Sequence, residues 1–260
     1  MPPGRPRAVF AVLKTSFIEE EKRLIRPKEY RAVVAAAARL YLAAGRHPYY
    51  FARGKLGHDP VFPALLLRGI IPGEARILDL GCGQGVLAAL LLSARELYQS
   101  GVWPVGWPVP PKSVRWHGIE LQDRVAGWGR AALNGSATLV TGDLRSAALP
   151  DADLVVMLDV LHYLDPDAQW RVLERIAHSL RDGGTLLLRV GDASAGWRTP
   201  FTRLADKFST LVRGQGWPPH YCHSVGEWTG LLGRHGFSVA AEPMSAGTPF
   251  ANVLLIARRR

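Results

Sequence analysis

Four carboxylates and one histidine carry the chemistry open to this chain. Asp79 stands in the apolar run Ile77-Leu78-Asp79-Leu80 and is followed by Gly81-Cys82-Gly83-Gln84-Gly85, then by the helix-forming segment Val86 to Leu92. A strand that runs through a glycine turn into a helix brings bare backbone against a ligand at the carboxyl end of a parallel strand. Glu120 closes the run Val114 to Glu120, where a strand-end acid accepts hydrogen bonds from paired hydroxyls. Gly142-Asp143-Leu144 ends a third run, and Asp159-Val160-Leu161-His162-Tyr163 follows a fourth. Acids at these ends, with no basic residue in the glycine turn, suit a cationic, donor-rich ligand and argue against a pyrophosphate. The spacing G-x-G-x-G also departs from the G-x-G-x-x-G of dinucleotide binders, which counts against a nicotinamide oxidoreductase.

Alternating strands and helices must position these ends. Residues 1–26 read as a loosely attached arm. From Pro27 a helical pattern places Tyr30, Val33, Val34, Ala37, Leu40 and Tyr41 at three- and four-residue spacing, with a stop at Gly45. The block His47 to Pro60 is aromatic, basic and turn-rich, and a second helix is expected from Val61 to Arg68. Strands are then expected over 77–80, 114–120, 137–141, 153–158, 183–190, 237–241 and 252–257. Helices are expected over 85–98, 122–133, 166–180 and 225–234, and a Pro/Trp-rich insertion fills Tyr98 to Lys112. Such alternation predicts an α/β fold with a parallel sheet covered on both faces, and the two adjacent final strands predict an antiparallel hairpin at one end.

The turn Asp79-x-Gly81-x-Gly83-x-Gly85 resembles motif I of the class I S-adenosylmethionine (SAM)-dependent methyltransferases, and the likeness covers about 70–257. The resemblance implies a Rossmann-like fold: a seven-stranded, mostly parallel sheet with an antiparallel last strand, helices on both faces and an N-terminal helical lid. Residues 1–69 would form the arm and lid, and 70–260 the SAM-binding domain. It further implies that Asp79, Gly81, Cys82, Gly83 and Gly85 hold the methionine end of the cofactor, and that Glu120, with Leu121 beside it, takes the ribose hydroxyls. Asp143 would face the adenine amino group while the Leu144 N–H reaches a ring nitrogen, and Asp159 would open the segment that lines the site of transfer. The gap between motif I and Glu120 exceeds the usual ~20 residues, and the 98–112 insertion accounts for the excess. Cys82 reads as a small residue in a close-packed loop and not as a nucleophile.

In small-molecule methyltransferases of this fold many chains carry a Val-Leu-His-His-like run after the fourth strand. Val160-Leu161-His162-Tyr163 resembles it, with Tyr163 in the second histidine position. His162 is the candidate general base, since imidazole titrates near neutral pH; packing under the adenosine is the alternative role. The chain has no Asn/Asp-Pro-Pro-Tyr at this strand end and no Pro-Cys nucleophile. Methylation of an adenine or glutamine amino group and of cytosine C5 is therefore not expected, which leaves an O- or C-acceptor. Tyr49, Tyr50, Arg53 and Lys55, in the block before the sheet, read as lid or substrate residues, as do Tyr163 and Tyr221. Gly191-Asp192 is expected at the pocket. His220-Tyr221-Cys222-His223 is too short and too isolated for a metal site, so no metal is expected. Four segments, 51–62, 159–163, 188–192 and 244–253, resemble bacterial methyltransferases of aryl-polyene and xanthomonadin-type pigment synthesis. That narrower likeness implies an aromatic acceptor, free or bound to an acyl carrier.

With 260 residues, 48% hydrophobic content and two cysteines, the sequence describes a globular protein of a reducing, cytoplasmic setting. The patch Ala8 to Leu13 lacks a following small-residue cleavage site, so no signal peptide is expected. No apolar run approaches the roughly 18 residues of a membrane span. The net charge of +10 is dispersed along the chain, which suits an anionic substrate or carrier better than nucleic acid. Two alternatives stay open: an RNA methyltransferase, and a SAM-binding partner protein without catalysis. The oligomeric state is left open.

Overall fold

Seven strands form one sheet in the order β3-β2-β1-β4-β5-β7-β6. They are β1 (Glu74–Leu80), β2 (Ser113–Glu120), β3 (Thr138–Thr141), β4 (Ala152–Leu158), β5 (Leu180–Gly191), β6 (Phe237–Pro243) and β7 (Asn252–Arg259). The computed structural model describes residues 28–194, 221–248 and 251–260; the arm at 1–26, His220 and part of the 244–253 segment lie outside them. β1 pairs in parallel with β2 and β4, β2 with β3, and β4 with β5, whereas β7 runs antiparallel to both β5 and β6. The expected α/β architecture, with an antiparallel final hairpin at one end of the sheet, is therefore present; the reversed strand β7 lies between β5 and the edge strand β6.

Side chains alternate across this sheet and divide its interior into two cores. Ile77, Leu154 and Val156 join the core that holds α1 (Lys28–Arg39), α2 (Arg46–His58), α3 (Val61–Leu67) and α4 (Val86–Gln99). Leu78, Val155 and Met157, one residue out of step, join the core under α6 (Pro166–Ser179) and α7 (Val225–Arg234). A further helix, α5 (Asp123–Leu133), follows β2. Asp165 caps α6 through the Ala168 N–H at 2.8 Å with Pro166 at the first helical position, and Ser224 with Glu227 forms a capping box at α7.

The block from His47 to Pro60 is a regular helix over most of its length, where its composition suggested turns. Pro48 falls in the first turn of α2, where a missing N–H costs nothing. Pro48, Ala52 and Leu56 recur at four-residue spacing as its buried stripe. A Cβ added at Gly54 or Gly57 would meet no atom within 4 Å, so neither glycine marks a tight turn. In the insertion, Trp103 and Trp107 pack edge to face at 5.2 Å and the Trp103 indole donates to the Pro108 carbonyl at 3.2 Å, which folds the segment onto itself.

The N-terminal helices are fastened to the glycine turn itself. The buried Tyr41 hydroxyl, in the 3-10 turn Leu40–Ala44, donates to the Gln84 carbonyl at 2.7 Å, and the Gln84 amide donates back to the Pro48 carbonyl at 2.9 Å. Replacing Tyr41 by Phe removes the donor and leaves that carbonyl buried, so we expect urea denaturation to show a loss of about 1–3 kcal/mol.

Candidate active site

The glycine turn is shaped by three left-handed residues, Gly81, Gly83 and Gly85, with φ of 72°, 58° and 73°. At Gly81 the demand is also steric, since a Cβ would meet Val160 Cγ2 at 2.3 Å. The turn hangs on β2: the N–H groups of Gly81 and Cys82 donate to the Ile119 carbonyl at 2.8 and 3.2 Å. Neighbouring backbone closes in from two sides. A Cβ on Gly118 would lie 2.7 Å from Cys82 Sγ, and one on Gly129 of α5 would lie 2.7 Å from the Gln84 carbonyl oxygen. Burial, reinforced by Asp79 and Glu120, pushes the Cys82 thiol up, which keeps it an inert thiol.

The strand register sets Asp79 opposite Gly118 and Glu120 opposite Thr141, so both acids reach the same end of the sheet. Glu120 is held by backbone: one oxygen accepts from the Gly83 N–H and the other from the Gln122 N–H, each at 3.0 Å. Each oxygen keeps a lone pair for a further donor. Asp79 is 5% exposed, and among the described residues its carboxyl receives no hydrogen bond and no cation. Burial first, and the Glu120 charge second, raise its pKa to about 8. A buried acid beside a half-buried one and bare backbone, with no positive partner among the described residues, fits a ligand that brings its own cation and hydroxyl donors, as SAM does. Asp143 follows β3 and is gripped by Arg145, whose Nε lies 3.0 and 2.9 Å from its two oxygens; these bonds hold the carboxyl below its usual range. Leu144 is buried and Leu121 is exposed at the rim.

The strand-four end is organised by a second charge cluster. Arg189, 1% exposed on β5, makes paired bonds to Asp59 and to Asp159, among them Nη2 to Asp59 Oδ2 and Nε to Asp159 Oδ1, both at 2.7 Å. Lys55 of α2 completes it at 2.8 Å from Asp59 and 3.6 Å from Asp159. Burial opposes ionisation of both acids, but Arg189 and Lys55 outweigh it and hold both carboxyls below the usual range. Asp159 adopts a left-handed backbone, φ 60°, directly before the turn that bears His162. Asp159 and Lys55 thus stand together, with the Asp159 carboxylate directed at Arg189 and Lys55. His162 is buried, its ring 4.3 Å from that of Tyr163, and its carbonyl accepts from the Tyr221 N–H at 2.9 Å. On α2, Tyr50 is exposed and edge-on to Tyr49, and Arg53 points to solvent. Asp192 turns back to accept from Ser194.

Four residues of this arrangement went unnoticed in the sequence: Tyr41, Gln84, Asp59 and Arg189. Nothing local marks Tyr41, whose hydroxyl partner is 43 positions away. Arg189 had a signal, since an arginine within Leu186-Leu187-Leu188-Arg189-Val190 of a central strand must find acids.

Residues 51–242 match the family described as "Methyltransferase domain". The chain belongs to that family. It is 27% identical over 197 residues to 27-O-demethylrifamycin SV methyltransferase of Amycolatopsis mediterranei, covering 68% of this chain and 65% of that protein. It is 29% identical over 162 residues to acetylserotonin O-methyltransferase of Rattus norvegicus, covering 62% and 34%. The chain thus spans less than two thirds of the length of either relative. The solved structure of mitomycin 7-O-methyltransferase superposes with a TM-score of 0.57 at 21% identity, covering 94% of this chain and 66% of that one. Magnesium protoporphyrin IX methyltransferase from Synechocystis PCC 6803, solved with bound S-adenosylhomocysteine (SAH), gives 0.53 at 21%, covering 83% and 88%. At such identities these structures establish the Rossmann-like methyltransferase fold. Among the described residues no helix is long and apolar enough to cross a membrane.

Asp79 makes a testable link between pH, stability and binding. In the folded protein it keeps its proton up to about pH 8, whereas unfolded it loses it near 3.9. The folded state therefore binds the extra proton between these values, and stability falls as pH rises through that window. Asp79→Asn removes this fall: the variant should match the parent in melting temperature below about pH 4, gain on it steadily up to about pH 8, and exceed it by roughly 10 °C or more at pH 9. A cationic ligand should bind the parent about tenfold more tightly at pH 9 than at pH 7, and the variant without that dependence.

Proposed function

We propose that this chain transfers a methyl group from SAM to an oxygen or carbon of a small, aromatic acceptor, presented free or on an acyl carrier. The observation that carries the reading is the buried, cation-less Asp79 beside Glu120 at a glycine turn with bare backbone. When bound, SAM supplies an electrophilic methyl group on a sulfonium sulfur.

The chain's own residues then have these tasks. Asp79 ionises against the ligand's ammonium, and Gly81, Cys82, Gly83 and Gly85 give the backbone surface. Glu120 takes the ribose hydroxyls with Leu121 beside it, and Asp143 with the Leu144 N–H takes the adenine edge. Arg145 keeps Asp143 ionised and therefore an acceptor. Asp159 contributes through its backbone turn at the end of β4, its carboxylate being tied to Arg189 and Lys55. Alignment of acceptor and methyl accounts for several kcal/mol of rate acceleration, and His162, as general base for an acceptor hydroxyl, adds about 10²–10⁴-fold. Residues 1–69 serve as arm and lid, with Tyr50, Arg53, Lys55, Tyr163 and Tyr221 on the acceptor side. The net charge of +10 suits an acidic carrier. The four segments similar to pigment-pathway methyltransferases support an aryl acceptor, and a cytoplasmic setting suits the cofactor.

The reading is tested by calorimetric titration with SAH, with NADH as control. We expect micromolar binding of SAH, none of NADH, and a loss of at least about tenfold in Glu120→Ala, which removes two loop-holding bonds and the hydroxyl acceptor. Tritiated-methyl transfer to hydroxylated aryl acids, free and carrier-bound, then identifies the acceptor. SAH binding without transfer to any of these would sink the aryl reading, and strongly salt-dependent RNA binding would move it to RNA.

A further inference from the structure

We infer that Gln169 and His223 are positioning residues that hold the His162 turn and lock it to the chain returning at Tyr221; the inference rests on the reading of His162 as an acceptor-side residue. Gln169 lies on α6 and is fully buried. Its side-chain nitrogen is 3.2 Å from the Leu161 carbonyl, 3.0 Å from that of Leu164 and 3.0 Å from that of Tyr221. Three carbonyls around one end fix that end as the amide nitrogen, so the oxygen faces His223 Nε2, 2.9 Å away. His223 must therefore carry its proton on Nε2. Its ring is fixed edge-on to the fully buried Trp228 at 4.6 Å, and its carbonyl accepts from the Ala193 N–H at 3.2 Å.

The His162 turn needs such help. Its own backbone supplies two bonds, Tyr163 N–H to Val160 O at 3.0 Å and Leu164 N–H to Leu161 O at 3.1 Å. A single 3-10 turn held by so little does not define one conformation. Gln169 grips the carbonyls on both sides of His162 and, through Tyr221, the segment whose N–H bonds to the His162 carbonyl. One amide thus ties two stretches of chain, 161–164 and 221–223, that are remote in sequence. A role confined to packing would not require a donor at His223 Nε2.

That last point supplies the test. Gln169→Leu, His223→Leu and His223→Gln are made in the full chain; glutamine places a donor near the position of Nε2, leucine does not. Three quantities are read: the rate of His162 carbethoxylation by diethyl pyrocarbonate, exchange of the Tyr221 amide, and SAH affinity. Gln169→Leu and His223→Leu should raise the first two by about tenfold or more, the scale of one lost buried hydrogen bond. His223→Gln should stay within about twofold of the parent, and SAH affinity should hold within about threefold throughout, because the glycine turn and Glu120 share no partner with this pair. His223→Gln behaving like His223→Leu would overturn the inference and leave a packing role. So would unchanged rates in His223→Leu, the variant that carries the test if Gln169→Leu does not fold. Failure of the parent to bind SAH would instead strike the proposed function, and the carbethoxylation and amide-exchange measurements would still decide the role of the pair.

Discussion

The constraint on which this molecule depends is that the turn from Gly81 to Gly85 has to stay bare. Its left-handed residues and its hold on the Ile119 carbonyl set its path. Everything around it is then built without side chains where backbone comes close: Gly118 beneath Cys82, and Gly129 against the Gln84 carbonyl. The larger groups that do approach come as hydrogen-bonding partners. Glu120 reaches the Gly83 N–H, and Tyr41 and Pro48 secure Gln84 from the N-terminal helices. A ligand presented to this turn meets backbone and carboxylate, and the elements that supply both are fixed before it arrives.

Two groups of buried charge flank the turn and are balanced differently. Asp59, Asp159, Arg189 and Lys55 sum to zero, with every carboxylate oxygen near a cation. Such a cluster adds little net stability against an apolar replacement, yet it fixes geometry, here joining α2, the β4 exit and β5. Asp79 and Glu120 are not balanced. Two acids share one end of the sheet without a cation among the described residues, and the protein accommodates them by leaving Asp79 protonated to about pH 8. The balanced cluster reads as architecture. The unbalanced pair reads as a place where the missing charge is brought by something else.

Much of this was legible in the sequence, and the reasons divide cleanly. Strands β1, β4 and β5 announced themselves because a strand buried on both faces is a continuous apolar run, and the Asp-x-Gly-x-Gly-x-Gly pattern marked where β1 ends in its left-handed turn. Element ends moved by a few residues, as at β5, which begins at Leu180 and not Gly183. The block around Pro48 misled because proline, two glycines and clustered aromatics look like turns, while its buried stripe, Pro48, Ala52 and Leu56, is sparse. What the sequence withheld were contacts between side chain and remote backbone. Tyr41 counted as one more apolar position of a helix, and Gln169 as an ordinary residue of α6, because Tyr41's partner and two of those of Gln169, Tyr221 and His223, lie dozens of residues away.

The packing of the N-terminal helices limits how that segment can move. α1, α2, α3 and α4 share one hydrophobic core with the β1 and β4 side chains Ile77, Leu154 and Val156. Lifting that segment as a body would expose fully buried Tyr30, Tyr41 and Leu56 together, at a cost of order 1.5–3 kcal/mol for each large apolar side chain. It would also break the Tyr41 and Gln84 bonds and strand Asp59 from Arg189. Motion is therefore confined to what neither the core nor the Gln169–His223 pair holds, such as the outer face of α2 with Tyr50 and Arg53. The same contacts that secure the glycine turn thus leave the outer face of α2 as the part of this segment with freedom to adapt.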